Sequence, residues 1–161
     1  MGFNLETFTR LHVVLSLVGI AAGFVVVFGW LRGRRLDGWT ALFLATTVAT
    51  SVTGFFFPVD HFLPSHAVGI LSLVVLAAAI YARYVRRLAG ASRWIYAVSA
   101  VTALYLNVFV GIVQSFDKVP FLGKATPEQP TPAFVAAQLL TLVLFIVLAV
   151  RAAKKVPGGA L

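Results

Sequence analysis

Five long apolar runs divide the chain: Leu11–Leu31, Trp39–Phe57, Pro64–Tyr84, Trp94–Phe116 and Ala133–Val150. Each is close to the ~20 residues that an α-helix needs to cross the hydrocarbon core of a bilayer. Between them lie polar breaks: "RGRRLDG" at 32–38, "PVDHFLP" at 58–64, "VRRLAGASR" at 85–93 and the proline-rich "DKVPFLGKATPEQPTP" at 117–132. The pattern predicts one all-α domain over 1–161, an integral membrane bundle of five transmembrane helices. Pro132 suits the first turn of the last helix, where a missing N–H costs nothing. The first run is read as a true span rather than a signal peptide. It is long, it follows a segment holding both Glu6 and Arg10, and no small-x-small cleavage site comes after it.

Composition agrees with this division. The chain is 60% hydrophobic and 11% charged, with mean hydropathy +0.97, whereas about a quarter of a soluble domain is charged. It contains no cysteine, which excludes disulfides, thiolate metal sites and CxxC redox chemistry. A net charge of +8 raises the question of nucleic acid, but the bases fall in short clusters between apolar runs, not along one polar face. Arg32, Arg34, Arg35, Arg83, Arg86, Arg87, Arg93, Arg151, Lys154 and Lys155 sit on alternate connections. The other connections hold Arg10, Lys118 and Lys124 with Glu6, Asp60, Asp117 and Glu128. By the positive-inside rule the N-terminus is expected outside and the C-terminus in the cytoplasm. The expected location is a bacterial cytoplasmic membrane. The bilayer is then the main partner, and other membrane subunits or a second copy of the chain are further ones. Trp30, Trp39 and Trp94 are expected in the aromatic belt at the basic boundary.

This topology brings all three histidines to one side. His12 lies in the first turn of the first span, His66 in the first turn of the third, and His61 with Asp60 in the loop between the second and third. His12, Ser16, Gly19 and Gly23 form one helical stripe, and the Gly19/Gly23 spacing allows close approach of another helix. On the third span His66, Gly69, Leu73, Ala77 and Tyr84 are expected near a common face. Asn107, Gly111 and Gln114 form a stripe on the fourth span, and Gln138 lies at similar depth on the fifth. Amides and imidazoles facing lipid are costly, so these groups should converge on each other, on water or on a ligand. The expected feature is a polar pocket open to the outside.

Three functions follow. In the first, His12 and His66, with His61 and Asp60 nearby, ligate a metal ion or a haem; neutral imidazoles suit zinc, copper and iron. In the second, Asn107, Gln114 and Gln138 with Phe55, Phe56 and Phe57 hold a quinone, a lipid or another small amphipathic molecule. In the third, the polar groups only join helices, and the chain is an accessory subunit of a membrane complex. An enzyme is the least supported reading. The sequence holds no activated serine arrangement, no phosphate loop and no pair of acids within a span, so chemistry would enter only through a bound metal or redox cofactor. Five spans with an outside N-terminus resemble the tryptophan-rich sensory proteins in topology alone, and the resemblance implies nothing further.

Overall fold

In the computed structural model, which describes residues 4–60 and 62–158, five long helices account for the fold. They are α1 (Leu5–Leu31), α2 (Asp37–Thr53), α3 (Pro64–Ile80), α4 (Ser92–Lys118) and α5 (Pro132–Lys155). A 3-10 turn, Gly54–Phe56, extends α2, a π-helical segment, Tyr81–Val85, extends α3, and a second 3-10 turn, Pro120–Leu122, interrupts the longest connection. No strand occurs among the described residues. With the extensions of α2 to Phe56 and of α3 to Val85, all five are long and apolar enough to cross a membrane.

Local chemistry sets their ends. α1 begins six residues before its apolar run because Asn4 caps it, its side-chain carbonyl accepting from the N–H groups of Glu6 and Thr7 at 3.1 and 3.2 Å. Thr131 caps α5 by accepting from Phe134 N–H at 3.3 Å, with Pro132 in the first turn as expected. α3 leaves through π-type bonding, with Arg86 N–H donating to Tyr81 C=O. It stops where Arg87 and Leu88 take left-handed φ values of 48° and 57°, a conformation uncommon for residues other than glycine.

α4 is the hub and touches each of the other four helices, whereas α5 packs mainly on α4. The core of Val26, Val27, Trp30, Phe43, Leu76, Tyr96, Val101 and Leu104 is buried between α1, α2, α3 and α4. The Gly19/Gly23 stripe packs as its spacing predicts. A Cβ on Gly23 would lie 2.6 Å from Leu104 Cδ1 and 3.0 Å from the Phe43 ring, so α1 meets α2 and α4 there with no atom to spare.

Three sequence expectations are corrected. Trp39 and Trp94 are about half exposed, but Trp30 is buried against Tyr96 with ring centroids 5.1 Å apart, so it is a core residue and not part of a belt. The buried face of α3 carries Ser72, Leu76 and Ala79, while Ala77 is exposed. α3 is apolar on every side, which leaves the pattern without a stripe to read. Arg83 is not a loop charge. It is 2% exposed, inside the π-helical segment, with its guanidinium 5.4 Å from the ring centroids of both Tyr84 and Tyr96 and paired to Asp37.

Candidate functional site

The early turns of α1 and α3 and the late turns of α2 and α4 gather at the end of the bundle away from the arginine-rich connections. Here a cavity of about 100 Å³ is lined by His12, Ser16, Thr50, Ser51, His66, Ser72 and Asn107, with Phe55, Leu106 and Val110 on its apolar side. The sequence draws polar groups to this depth for a physical reason. α2 here reads "TTVATSVTG", and its hydroxyls satisfy themselves on the preceding turn of their own helix. Thr46, Thr47, Thr50 and Ser51 donate to the carbonyls of Leu42, Phe43, Thr46 and Thr47 at 2.7 to 2.9 Å. Such residues face other helices without needing partners there, which leaves their oxygens free to accept.

His12 exploits this. Its Nδ1 lies 2.8 Å from Thr53 Oγ1, and that hydroxyl already donates to Ala49 C=O at 2.7 Å. Thr53 therefore accepts, His12 donates from Nδ1, and the Nε2 lone pair is left free. The ring is held edge-on to Phe57 at 5.1 Å.

His66 is held in the opposite tautomer. Its Nδ1 accepts from the Leu63 backbone N–H at 2.9 Å, while His66 N–H donates to Leu63 C=O at 2.9 Å. Leucine has no side-chain acceptor, so this is half of a capping box, with histidine in the place usually taken by Glu or Gln. With Nδ1 committed as an acceptor, the proton of the neutral ring sits on Nε2, making it a donor. Phe55 stacks on this ring at 5.6 Å and Phe62 tilts against it at 5.3 Å. Gly69 makes room for Phe55: a Cβ there would meet the Phe55 ring at 3.0 Å.

Of the three amides, only Asn107 reaches the cavity. Its Oδ1 accepts from Ser16 Oγ at 2.7 Å, which ties α4 to α1. Gln138 donates to Phe109 C=O at 3.3 Å between α5 and α4, and Gln114 is exposed; neither lines the cavity. Their place in the outer half of a helix was legible, but which side each faces depends on where α5 docks. Asp60 is exposed on the loop and away from the cavity lining, and His61 lies outside the described residues. Among the described residues no group of three or more His, Cys, Asp or Glu gathers as a metal site.

The sequence reading missed Ser51 and Ser72 as a pair. Their hydroxyls meet at 3.0 Å across α2 and α3 on the cavity wall. Ser72 lies six residues after His66, on the face that the apolar pattern of α3 conceals.

No known protein family, curated protein or solved structure matches this chain.

Proposed function

We propose that this is an integral protein of a bacterial cytoplasmic membrane, N-terminus outside and C-terminus in the cytoplasm, that binds the polar head of a small amphipathic molecule in the cavity between His12 and His66. The observation that carries this reading is the pair of hydrogen bonds at the two rings, His12 Nδ1 with Thr53 Oγ1 and Leu63 N–H to His66 Nδ1, from which opposed tautomers are assigned. His12 Nε2 accepts and His66 Nε2–H donates, so the site offers one hydrogen bond of each kind, with serine and threonine hydroxyls between them. A carbonyl or hydroxyl head, as in a quinone or a glyceride, complements that arrangement. The cavity of about 100 Å³ is smaller than the ~300–1,000 Å³ of pockets that enclose whole ligands. It takes a head group, and the tail then lies along the apolar helices.

Metal or haem ligation by the same histidines needs a lone pair from each ring. Only His12 presents one at Nε2. His66 would have to give up its bond to Leu63 N–H or shift its proton, so this second reading has weaker support. Helix joining by Ser16–Asn107 and by Gln138 fits the accessory-subunit reading, in which His12 and His66 also serve as a helix tie and a cap, but it gives no role to the cavity they line.

The test uses the purified full chain in detergent. A short-chain quinone or a monoacylglycerol is expected to raise its unfolding free energy by about 2.7 kcal/mol at a hundredfold excess over Kd. His12→Phe, which keeps a ring but removes Nε2, is expected to abolish that gain. Stoichiometric metal or haem in the wild type, lost in His12→Phe, would establish the metal reading instead. Stabilisation by neither ligand class overturns the site.

A further inference from the structure

At the opposite, arginine-rich end a second cavity opens, of about 410 Å³, between the π-helical end of α3 and the start of α4. We infer that it binds the phosphate of an anionic phospholipid through Arg86 and Ser92. The backbone shapes it. Leu88 N–H reaches back to Ala82 C=O at 3.1 Å, and the left-handed residues Arg87, Leu88 and Gly90 fold the connection into a rim. Arg86 lines the opening and is exposed. Ser92 lines it as well, and it is 6% exposed. No hydrogen bond from its hydroxyl is formed among the described residues. Its oxygen is not sealed within the protein, so the hydroxyl is available to donate to an anion held in the cavity. α4 begins at this serine with no side-chain cap, so the positive end of its dipole adds to the charge of Arg86.

Two further observations select a lipid phosphate over a soluble anion. Tyr81 and Ile95 also line the cavity, and Tyr81 and Trp94 are 56% and 52% exposed. Aromatic side chains of this kind mark the depth of the head groups, with apolar surface beside them for acyl chains. The neighbouring connections carry Arg32, Arg34, Arg35, Arg87 and Arg93, a field that concentrates anionic lipid at this face. The inference does not rest on the site between His12 and His66.

The experiment is native mass spectrometry of the full chain released from detergent, titrated with phosphatidylglycerol or with phosphatidylcholine. Phosphatidylglycerol is expected to bind preferentially. Arg86→Gln is expected to weaken it about tenfold or more, as befits loss of a hydrogen bond to a charged group, and Ser92→Ala about threefold. Arg151→Gln removes the same charge from outside the cavity and is expected to change binding by a factor of a few at most. Equal losses in Arg86→Gln and Arg151→Gln would mean diffuse attraction and overturn the site, as would equal binding of the two lipids. Inorganic phosphate is expected not to displace the lipid at matched concentration; displacement would overturn the lipid assignment in favour of a free anion.

Discussion

A methyl group added at Gly23 is a direct test of how tightly α1 is held. In the interior of a helix, Gly→Ala is favourable by about 1 kcal/mol through backbone entropy. Against that stands the geometry, because the new Cβ would lie 2.6 Å from Leu104 Cδ1 and 3.0 Å from two carbons of the Phe43 ring. Carbon atoms rest at ~3.5–4.0 Å, so one contact is about 1 Å too short. Leu104 could swing aside if it had room, but Leu104 and Phe43 are both fully buried. Overpacking of this kind costs roughly 1–3 kcal/mol. Gly23→Ala is therefore expected to be neutral to destabilising, by about 0–2 kcal/mol after the propensity gain. Gly111→Ala supplies the internal reference. It lies within α4, and its nearest neighbour would be Ile20 Cδ1 at an ordinary 3.8 Å, so only the gain of up to ~1 kcal/mol remains. Reversible unfolding in mixed micelles, followed by helical circular dichroism, measures both. If Gly23→Ala proved as stabilising as Gly111→Ala, the close approach of α1 to α2 and α4 would be wrong.

Two other predictions concern the loop end and the orientation. His66→Ala should cost about 1–2 kcal/mol, since it removes both the acceptor for Leu63 N–H and the ring between Phe55 and Phe62; His66→Gln should recover the capping part, read as restored hydrogen-exchange protection of the Leu63 amide. The chain has no cysteine, so single cysteines at Arg34, Gly90, Asp60 and Lys124 can be labelled without background. The first two should react from the cytoplasmic side and the last two from outside, and the reverse pattern would refute the orientation.

The number of helices was legible because each is a long apolar run between polar breaks, and of the two elements that satisfy their backbone in lipid, helices and closed barrels, only a helix needs a run of about 20 apolar residues. Helix ends were less so. Asn4 and Thr131 cap through side-chain geometry, and the polar first turns of α1 and α2 fall outside any hydropathy window. Of the site, the stripe of His12, Ser16 and Gly19 was readable because α1 places small and polar residues on one side. The face of α3 was not, since Leu71, Val74 and Leu76 are equally apolar, and only docking onto α4 decides which is buried. The same limit hid Arg83, which the charge count groups with the loop arginines although it lies within the third apolar run and its side chain turns back into the bundle. The tautomers of His12 and His66 lay beyond any pattern, because each depends on a single hydrogen bond to another residue.

The pairing of Arg83 with Asp37 also bears on how the chain is assembled. Arg83 is 2% exposed, so its charge must be met largely from within the bundle, and an unpaired charge there would be costly. Asp37 on α2 supplies its counter-charge, and Tyr84 and Tyr96 supply ring faces. α3 is therefore not self-sufficient as a hydrophobic segment. The helical hairpin of α2 and α3 is thus the smallest unit that neutralises this charge, and α4 completes it by bringing Tyr96. Burying Arg83 therefore takes α2, α3 and α4 together, whereas α5 joins the same core through Phe145 and Ala152, packed mainly on α4.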